Sequence, residues 1–385
     1  MKIGIVKEVL AGETRVAATP TSIPALIKNK HEVYIESLAG AAAFMSDEEY
    51  RKEGATVLRT PDEVYSAADV VFKVQPPGHH PATGKHEAEM LREGSAIIGF
   101  LAPFSNAEAM RILARRKITS FAMEFVPRIS RAQSMDALSS MATLAGYKAV
   151  LMAAERLPRM FPLLTTAAGT VPPATVLVLG AGVAGLQAIA TAKRLGARVE
   201  AFDPRPAVKE QVESLGAVFV PMETLEDVQT AGGYAKEQSE DFLRRERETI
   251  AARLPRCDVV ITTAQVFGKK APLLIIEDMV KLMPRGAAIV DLAAEQGGNC
   301  ELTKANEVVD RDGVTIFGPT NLPATLPINA SQMYSKNVVT LFLHLYKDPA
   351  KGLDFNDEIT RGACLTHDGQ IMNEIVKQAV GQAQA

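Results

Sequence analysis

Cysteine is scarce in this chain. Cys257, Cys300 and Cys364 are the only three among 385 residues, and no CxxC spacing occurs. A small, odd and scattered set excludes a disulfide scaffold and is the usage expected of a reducing compartment. An excess of one charge is missing as well. Lys and Arg number 42 against 45 Asp and Glu, a net charge of −3. No basic field exists to hold nucleic acid or an anionic membrane surface. The longest apolar stretch, Val176 to Ala192, is interrupted by Gly180, Gly182, Gly185 and Gln187. It is shorter than the ~20 residues of a spanning helix, so direct membrane insertion is not expected. The opening MKIGIVKE reads as a strand and lacks the apolar core of a secretory signal. No GxSxG, HExxH, P-loop or EF-hand pattern is found. His79, His80 and His86 sit in PPGHHPATGKHE without regular ligand spacing, so no metal is expected.

What remains is an ordinary globular composition, 47% hydrophobic and 23% charged, over a length suited to two domains. Short β-rich runs alternate with helical patterns through the first 125 residues. Strands are expected at Lys2–Val6, Val33–Ile35, Val70–Val74, Ala96–Phe100 and Thr119–Ala122, with helices such as Pro61–Ala67 and Asn106–Arg116 between them. A polar stretch, Pro127 to Asp136, leads into an apolar helix from Ala137 to Leu157. A second alternating block starts at Thr175, with strands at Val176–Leu179, Val199–Phe202, Val218–Val220, Val259–Thr262, Ala287–Leu292 and Val314–Phe317. The segment GPTNLPATLP then reads as an inter-domain crossing, followed by a helical tail and a short strand pair ending near Asp368. Alternation of this kind implies βαβ units and parallel sheets. The expected class is α/β, with two doubly wound parallel-sheet (Rossmann-like) domains separated by a cleft. Residues 1–136 with 330–385 form the discontinuous first domain, and residues 137–329 form the second.

The stretch VLVLGAGVAGLQAIATAKRLGARVEAFDPR carries the strongest local signal. Gly180, Gly182 and Gly185 make GxGxxG between an apolar strand and a helix. The first glycine allows the tight turn, the second lets backbone approach a pyrophosphate, and the third lets helix and strand pack closely. Val183 and Ala184 open the helix, whose N-terminal N–H groups and dipole suit phosphate. Asp203 ends the next strand, 21 residues after Gly182, with Pro204 and Arg205 following. A carboxylate there accepts from the ribose diol and repels a 2′-phosphate, which favours NAD over NADP. The alternative is a purely structural glycine turn.

Further motifs resemble one family. PRISRAQSMDALSS, LAGYKAV, TAAGTVPPATVLVLGAGVAGLQAIATAKRLGA, KEQVESLGA, TAGGYAKE, ITTA and DLAAEQGGNC are similar to the NAD(H)-binding subunit of proton-translocating nicotinamide nucleotide transhydrogenases, over nearly the whole chain. That resemblance implies a component that binds NADH and passes its hydride to NADP⁺ held on a partner subunit, which is tied to a membrane-spanning subunit that conducts protons. It also implies a homodimer, a separate polypeptide ending near Ala385, and a cytoplasmic location, peripheral at the inner membrane through its partners. Arg128, Gln133, Asp136 and Ser139 are the implied catalytic loop, and Ile129, Ser130 and Arg131 are expected to join them at the cofactor. Gln133 has both an amide donor and an acceptor, matching a nicotinamide carboxamide. Arg128 and Asp136 carry opposite charges and are expected to shape the loop. Read without the family, this stretch is a polar linker with Asp136 as a helix cap. Gly233 and Tyr234 of TAGGYAKE are implied to close over the nucleotide, where the bland alternative is a glycine turn. Gln265 follows a strand whose carboxyl end faces cofactor in such folds.

The first half also resembles alanine dehydrogenase, the alternative assignment: an NAD-dependent amino-acid dehydrogenase. Arg15 and Lys73 match residues that hold the substrate carboxylate and assist catalysis in that family. Its catalytic histidine falls in IIGFLAP, where this chain has Phe100. A phenyl ring exchanges no proton, so that chemistry lacks its acid/base group, and Arg15 and Lys73 are expected to serve as structural ion-pair formers. The transhydrogenases often keep a histidine there too, but hydride transfer between two nicotinamides needs no protein proton donor. A nucleotide-sensing module without hydride chemistry is the remaining option.

Overall fold

A computed structural model describes residues 1–222, 239–266, 268–347 and 352–382. The chain divides into two units, residues 1–141 with 323–385, and residues 142–322. The division falls inside the helix Ala137–Arg156.

In the first unit β1 (Lys2–Ile5), β2 (Glu32–Glu36), β3 (Thr56–Leu58), β4 (Val70–Phe72), β5 (Ala96–Gly99) and β6 (Thr119–Ala122) lie parallel in the order β3-β2-β1-β4-β5-β6. Most positions on the central strands are buried, because helices cover both faces of a parallel sheet. Local chemistry starts those helices: Thr60 and Glu63 form a reciprocal capping box before Pro61–Ala67, and Ser46 and Glu49 do the same before Asp47–Lys52. In the second unit β7 (Leu164–Thr166) and β8 (Gly169–Val171) form an exposed hairpin apart from the main sheet. The main sheet comprises β9 (Thr175–Leu179), β10 (Arg198–Phe202), β11 (Val218–Val220), β12 (Val259–Thr262), β13 (Ala288–Asp291), β14 (Val308–Arg311) and β15 (Val314–Phe317), in the order β11-β10-β9-β12-β13-β15-β14. Only β14 runs antiparallel. Finally β16 (Cys364–His367) and β17 (Gln370–Ile371) return to the first unit and extend its sheet beyond β6. A buried bond between Ser120 Oγ and Thr366 Oγ1 (2.7 Å) holds them there.

Both sheets are therefore α/β and doubly wound. Each reverses direction once, between β1 and β4 in the first unit and between β9 and β12 in the second. Connections leave in opposite directions at that point and open a crevice at the strand carboxyl ends, where ligands bind in such folds. Three features escape the sequence pattern. β3 and the β7–β8 hairpin are three-residue strands with no fully buried position, so no buried apolar run marks them in the sequence. β14 also lies outside the expected strands, although Asp312-Gly313, both at positive φ, form the tight turn that joins it to β15.

One helix among the described residues, Ala137–Arg156, is long and apolar enough to cross a membrane by length and composition alone. It exceeds the Val176–Ala192 stretch, which its few polar residues had not made obvious. Its Ala149, Val150 and Ala153 are buried in the core of the second unit, beside Val176, Ile189 and Ile261. That core takes up part of the helix's apolar surface.

Candidate functional site

The glycine turn after β9 has three glycines with three different reasons. Gly180 has φ +97°, a left-handed conformation that penalises any side chain. A Cβ on Gly185 would stand 1.9 Å from the Gly180 carbonyl oxygen, so helix Val183–Arg194 could not seat on its strand. A Cβ on Gly182 would meet no protein atom within 4 Å. That opening lies at the N-cap of a helix of 12 residues, Val183–Arg194, with Val183 exposed and Ala184 half-buried at its start. It is the open cradle a pyrophosphate requires. A fourth glycine, Gly146 on helix Ala137–Arg156, carried no sequence signal. A Cβ there would stand 2.1 Å from the Ala184 carbonyl oxygen, so its bareness lets the glycine turn sit against the helix. Gly182→Ala is thus expected to leave unfolding within ~1 kcal/mol of the parent, since the poorer N-cap is offset by the lower conformational entropy of the unfolded chain at a φ that alanine adopts. It should nevertheless weaken NADH binding by ~2 kcal/mol or more through lost charge-assisted bonds. Gly146→Ala is expected to cost ~3 kcal/mol of stability by overpacking against backbone. Urea unfolding and NADH titration of the two variants separate these effects.

Asp203 follows β10 with its carboxylate buried. Oδ2 accepts from the Ala181 amide at 2.7 Å, which ties the acid directly to the glycine turn. Arg205 forks onto the same carboxylate, Nε to Oδ1 at 2.8 Å and Nη2 to Oδ2 at 2.7 Å, while its amide reaches Oδ1 at 2.9 Å. The arginine that follows Asp203 is therefore held by it. Pro204 is half-buried between them. Glu246, on the buried face of helix Glu240–Ala251 with Phe242 and Ile250, also feels this charge. Burial first, and the Asp203 charge second, push its carboxyl up to about 7. An acid whose folded pKa is raised favours the folded state fully below its ordinary value of about 4.5, and loses that contribution as pH climbs through about 7. The loss is on the order of 3 kcal/mol. Urea unfolding at about pH 5 and about pH 8 should show it in the parent and lack this component in Glu246→Gln.

At the end of β12, Thr263 Oγ1 donates to the Leu179 and Gly180 carbonyls (3.2 and 3.1 Å), closing the switch point. The next residues are pinned from beneath. Asn299, fully buried, donates to the Ala264 and Pro272 carbonyls (both 2.8 Å) and accepts from the Ala264 amide (3.0 Å). Asp291, also fully buried, takes the Asn299 and Cys300 amides and the Thr262 and Thr303 hydroxyls. Gln265 is exposed and its amide donates to the Leu292 carbonyl at 2.8 Å. Gly233 and Tyr234 lie outside the described residues.

The polar stretch of the first unit is a loop with a 3-10 turn, Ser130–Met135, anchored by buried Ala132 and Met135. Pro127, Arg128, Ile129, Ser130, Ala132, Gln133, Asp136 and Ser139 line one cavity of about 330 Å³. The structure thus gathers Arg128, Gln133, Asp136 and Ser139 around one space. Asp136 caps helix Ala137–Arg156: Oδ1 accepts from the Ser139 amide (2.8 Å) and Oδ2 from the Ser139 hydroxyl (2.6 Å). Cap and cavity wall are the same residue. Gln133 stands exposed at the cavity, while Arg131 turns to Asp357 (2.7 Å).

The first unit's own switch point is filled by ion pairs. Lys73 is buried between Glu8 (3.2 Å) and Glu87 (2.7 Å). Burial alone would lower its pKa, but the two carboxylates outweigh that and hold it at about 12. Arg15 forks onto Glu13 through Nε (2.8 Å) and Nη2 (2.6 Å). Burial opposes ionisation of Glu13, yet Arg15 draws its carboxyl down to about 2. Phe100 packs against Tyr334, ring centroids 5.4 Å apart.

A doubly wound sheet with a glycine cradle at its switch point and an acid after the second strand defines a dinucleotide-binding α/β protein. The chain belongs to the alanine dehydrogenase/PNT family, whose N-terminal domain model matches residues 4–145 and whose C-terminal domain model matches residues 149–374. Its dinucleotide is accordingly a nicotinamide nucleotide. It is 46% identical to an NAD(P) transhydrogenase subunit alpha polypeptide of Rhodospirillum rubrum, over 97% of this chain and 98% of the relative. A transhydrogenase structure from Sinorhizobium meliloti superposes with a TM-score of 0.84 at 39% identity, covering 97% of this chain and 100% of the other. An L-alanine dehydrogenase structure gives 0.83 at 25% identity, over 99% of each chain.

Proposed function

We propose that this chain is the NAD(H)-binding component of a proton-translocating transhydrogenase. It passes hydride from NADH directly to NADP⁺ held on a partner subunit, and a membrane-spanning subunit couples transfer to proton movement. The observation that carries the reading is the first switch point: Arg15 and Lys73 are each engaged with buried carboxylates, and Phe100 offers no proton. Direct transfer between nicotinamides asks for none of these groups. Bound NADH supplies the hydride. The glycine turn and the helix N-terminus hold its pyrophosphate and Asp203 its ribose, which makes NAD(H) the preferred form. Gln133 orients the carboxamide, and Asp136, Ser139 and Arg128 keep the loop in shape so that the ring is aligned and water excluded. Ile129, Ser130, Gly233, Tyr234 and Gln265 complete the nucleotide contacts, whereas Arg131, expected among them, is turned to Asp357. The component works as a homodimer on the cytoplasmic side of the inner membrane, attached through its partners. Support for self-association comes from the β7–β8 hairpin, which exposes Leu163, Leu164 and Val171. A lone two-stranded hairpin is marginal in water and gains from a covering surface.

The purified chain should bind NADH, sediment as a dimer, and turn over only when an NADP(H)-binding partner is added. Substantial alanine-dependent NAD⁺ reduction by the chain alone would overturn the reading.

A further inference from the structure

The loop that lines the cavity is held in place by residues more than 200 positions away. Arg131 Nη1 lies 2.7 Å from Asp357 Oδ1, across a sequence separation of 226. Asp357 is a junction of three segments. Besides Arg131 of the loop it takes His344 Nε2 of helix Pro327–Leu345 (2.9 Å). It also takes the amide (2.9 Å) and hydroxyl (3.1 Å) of Thr360, capping helix Glu358–Ala363. A second tie lies nearby: buried Asn337 donates through Nδ2 to the Ser134 carbonyl at 2.9 Å. The capped helix also packs close to the loop's start, where a Cβ on Gly362 would stand 3.3 Å from Pro127 Cδ.

Gln133 lies between these two ties, just before the Asp136 cap. Within the turn Ala132 and Met135 are the buried side chains, and the two ties from the C-terminal tail add to the hold on its register. We propose that Asp357, acting through Arg131, is a positioning residue for hydride transfer: the C-terminal tail holds the loop in the shape in which Gln133 and Asp136 work. This rests on the transhydrogenase reading above, and it gives Arg131 a different task from nucleotide contact. Arg131 is half exposed, and an ion pair with an exposed partner adds little to stability. Breaking it should therefore spare the fold and show itself in geometry.

The test compares Arg131→Gln, Asp357→Asn and the double variant. Asparagine caps a helix as well as aspartate does, so Asp357→Asn keeps the start of Glu358–Ala363. Three quantities are measured: NADH dissociation constant by fluorescence titration, single-turnover transfer to NADP⁺ with the partner subunit present, and amide hydrogen exchange across residues 127–140. Each single variant should slow transfer about tenfold, short of the ~100-fold that a full ångström of misplacement costs. The double variant should be no slower than the slower single, NADH affinity should stay within about twofold, and exchange across the loop should quicken. Parental transfer and exchange in Arg131→Gln would overturn the proposal. So would additive losses in the double variant, or NADH affinity falling in step with rate, which would return Arg131 to the nucleotide. If the parent itself transfers no hydride, the transhydrogenase reading falls, and the exchange measurement alone decides whether the tail holds the loop.

Discussion

Gln133→Ala is expected to slow hydride transfer about 100-fold while weakening NADH binding by only ~1 kcal/mol. Gln133 is exposed at the cavity on the Ser130–Met135 turn, and its neighbours Ala132 and Met135 carry the buried contacts. Truncation therefore removes an amide without disturbing the anchors. On the proposed reading, affinity resides mainly in the adenosine and pyrophosphate end, held by Gly180–Gly185 and Asp203. Rate depends on the two nicotinamide C4 atoms standing at ~3–3.5 Å and aligned, which a loosened ring no longer satisfies. Asp136→Asn should follow the same pattern in milder form, because asparagine preserves the cap on Ala137–Arg156. Measuring NADH dissociation and single-turnover transfer on each variant checks this. Equal proportional losses in Gln133→Ala would mean that the loop only binds.

Asp203→Ala is expected to weaken NADH binding by ~2–4 kcal/mol, one to two hydrogen bonds to a charged acceptor. It should also narrow the preference over NADPH. Two effects act together there. The ribose loses its acceptor, and Arg205 is released from the fork that now occupies it. A freed guanidinium beside the ribose end suits a 2′-phosphate. The double variant Asp203→Ala with Arg205→Ala should lose NADH affinity in the same way without gaining NADPH affinity. Titration of all three proteins with both nucleotides separates the contributions. Unchanged NADH affinity in Asp203→Ala would show that this acid is not the ribose ligand.

Much of the cofactor cradle is legible in the chain because its causes are local. Gly180 is needed for a positive φ, Gly182 for open space and Gly185 for close packing, and each requirement belongs to a turn a few residues long. The capping boxes at Thr60–Glu63 and Ser46–Glu49 are local in the same sense, as is the cap that Asp136 makes with Ser139. Alternating strands and helices are enough to indicate α/β sheets. They do not reveal β14, whose D-G turn is its one local mark, or the three-residue β3.

Other parts of the site have no local signature. Gly146 is an ordinary helix glycine until the Ala184 carbonyl is brought against it. Asn299 and Asp291 look like loop and strand polar residues until burial forces every lone pair and proton to find a partner, and the Ala264 turn supplies them. Arg131 reads as one more cation in RISRAQSMD, and only the return of the tail sets Asp357 beside it. Strand–helix alternation, glycine spacing and the capped loop were thus written into the chain itself, since they follow from backbone sterics and hydrogen bonding within a turn or two. What Arg15, Lys73 and Arg205 pair with is settled only once the chain has folded. A charged side chain's partner depends on which carboxylate is buried beside it, and the desolvation cost of leaving either one alone makes that pairing obligatory.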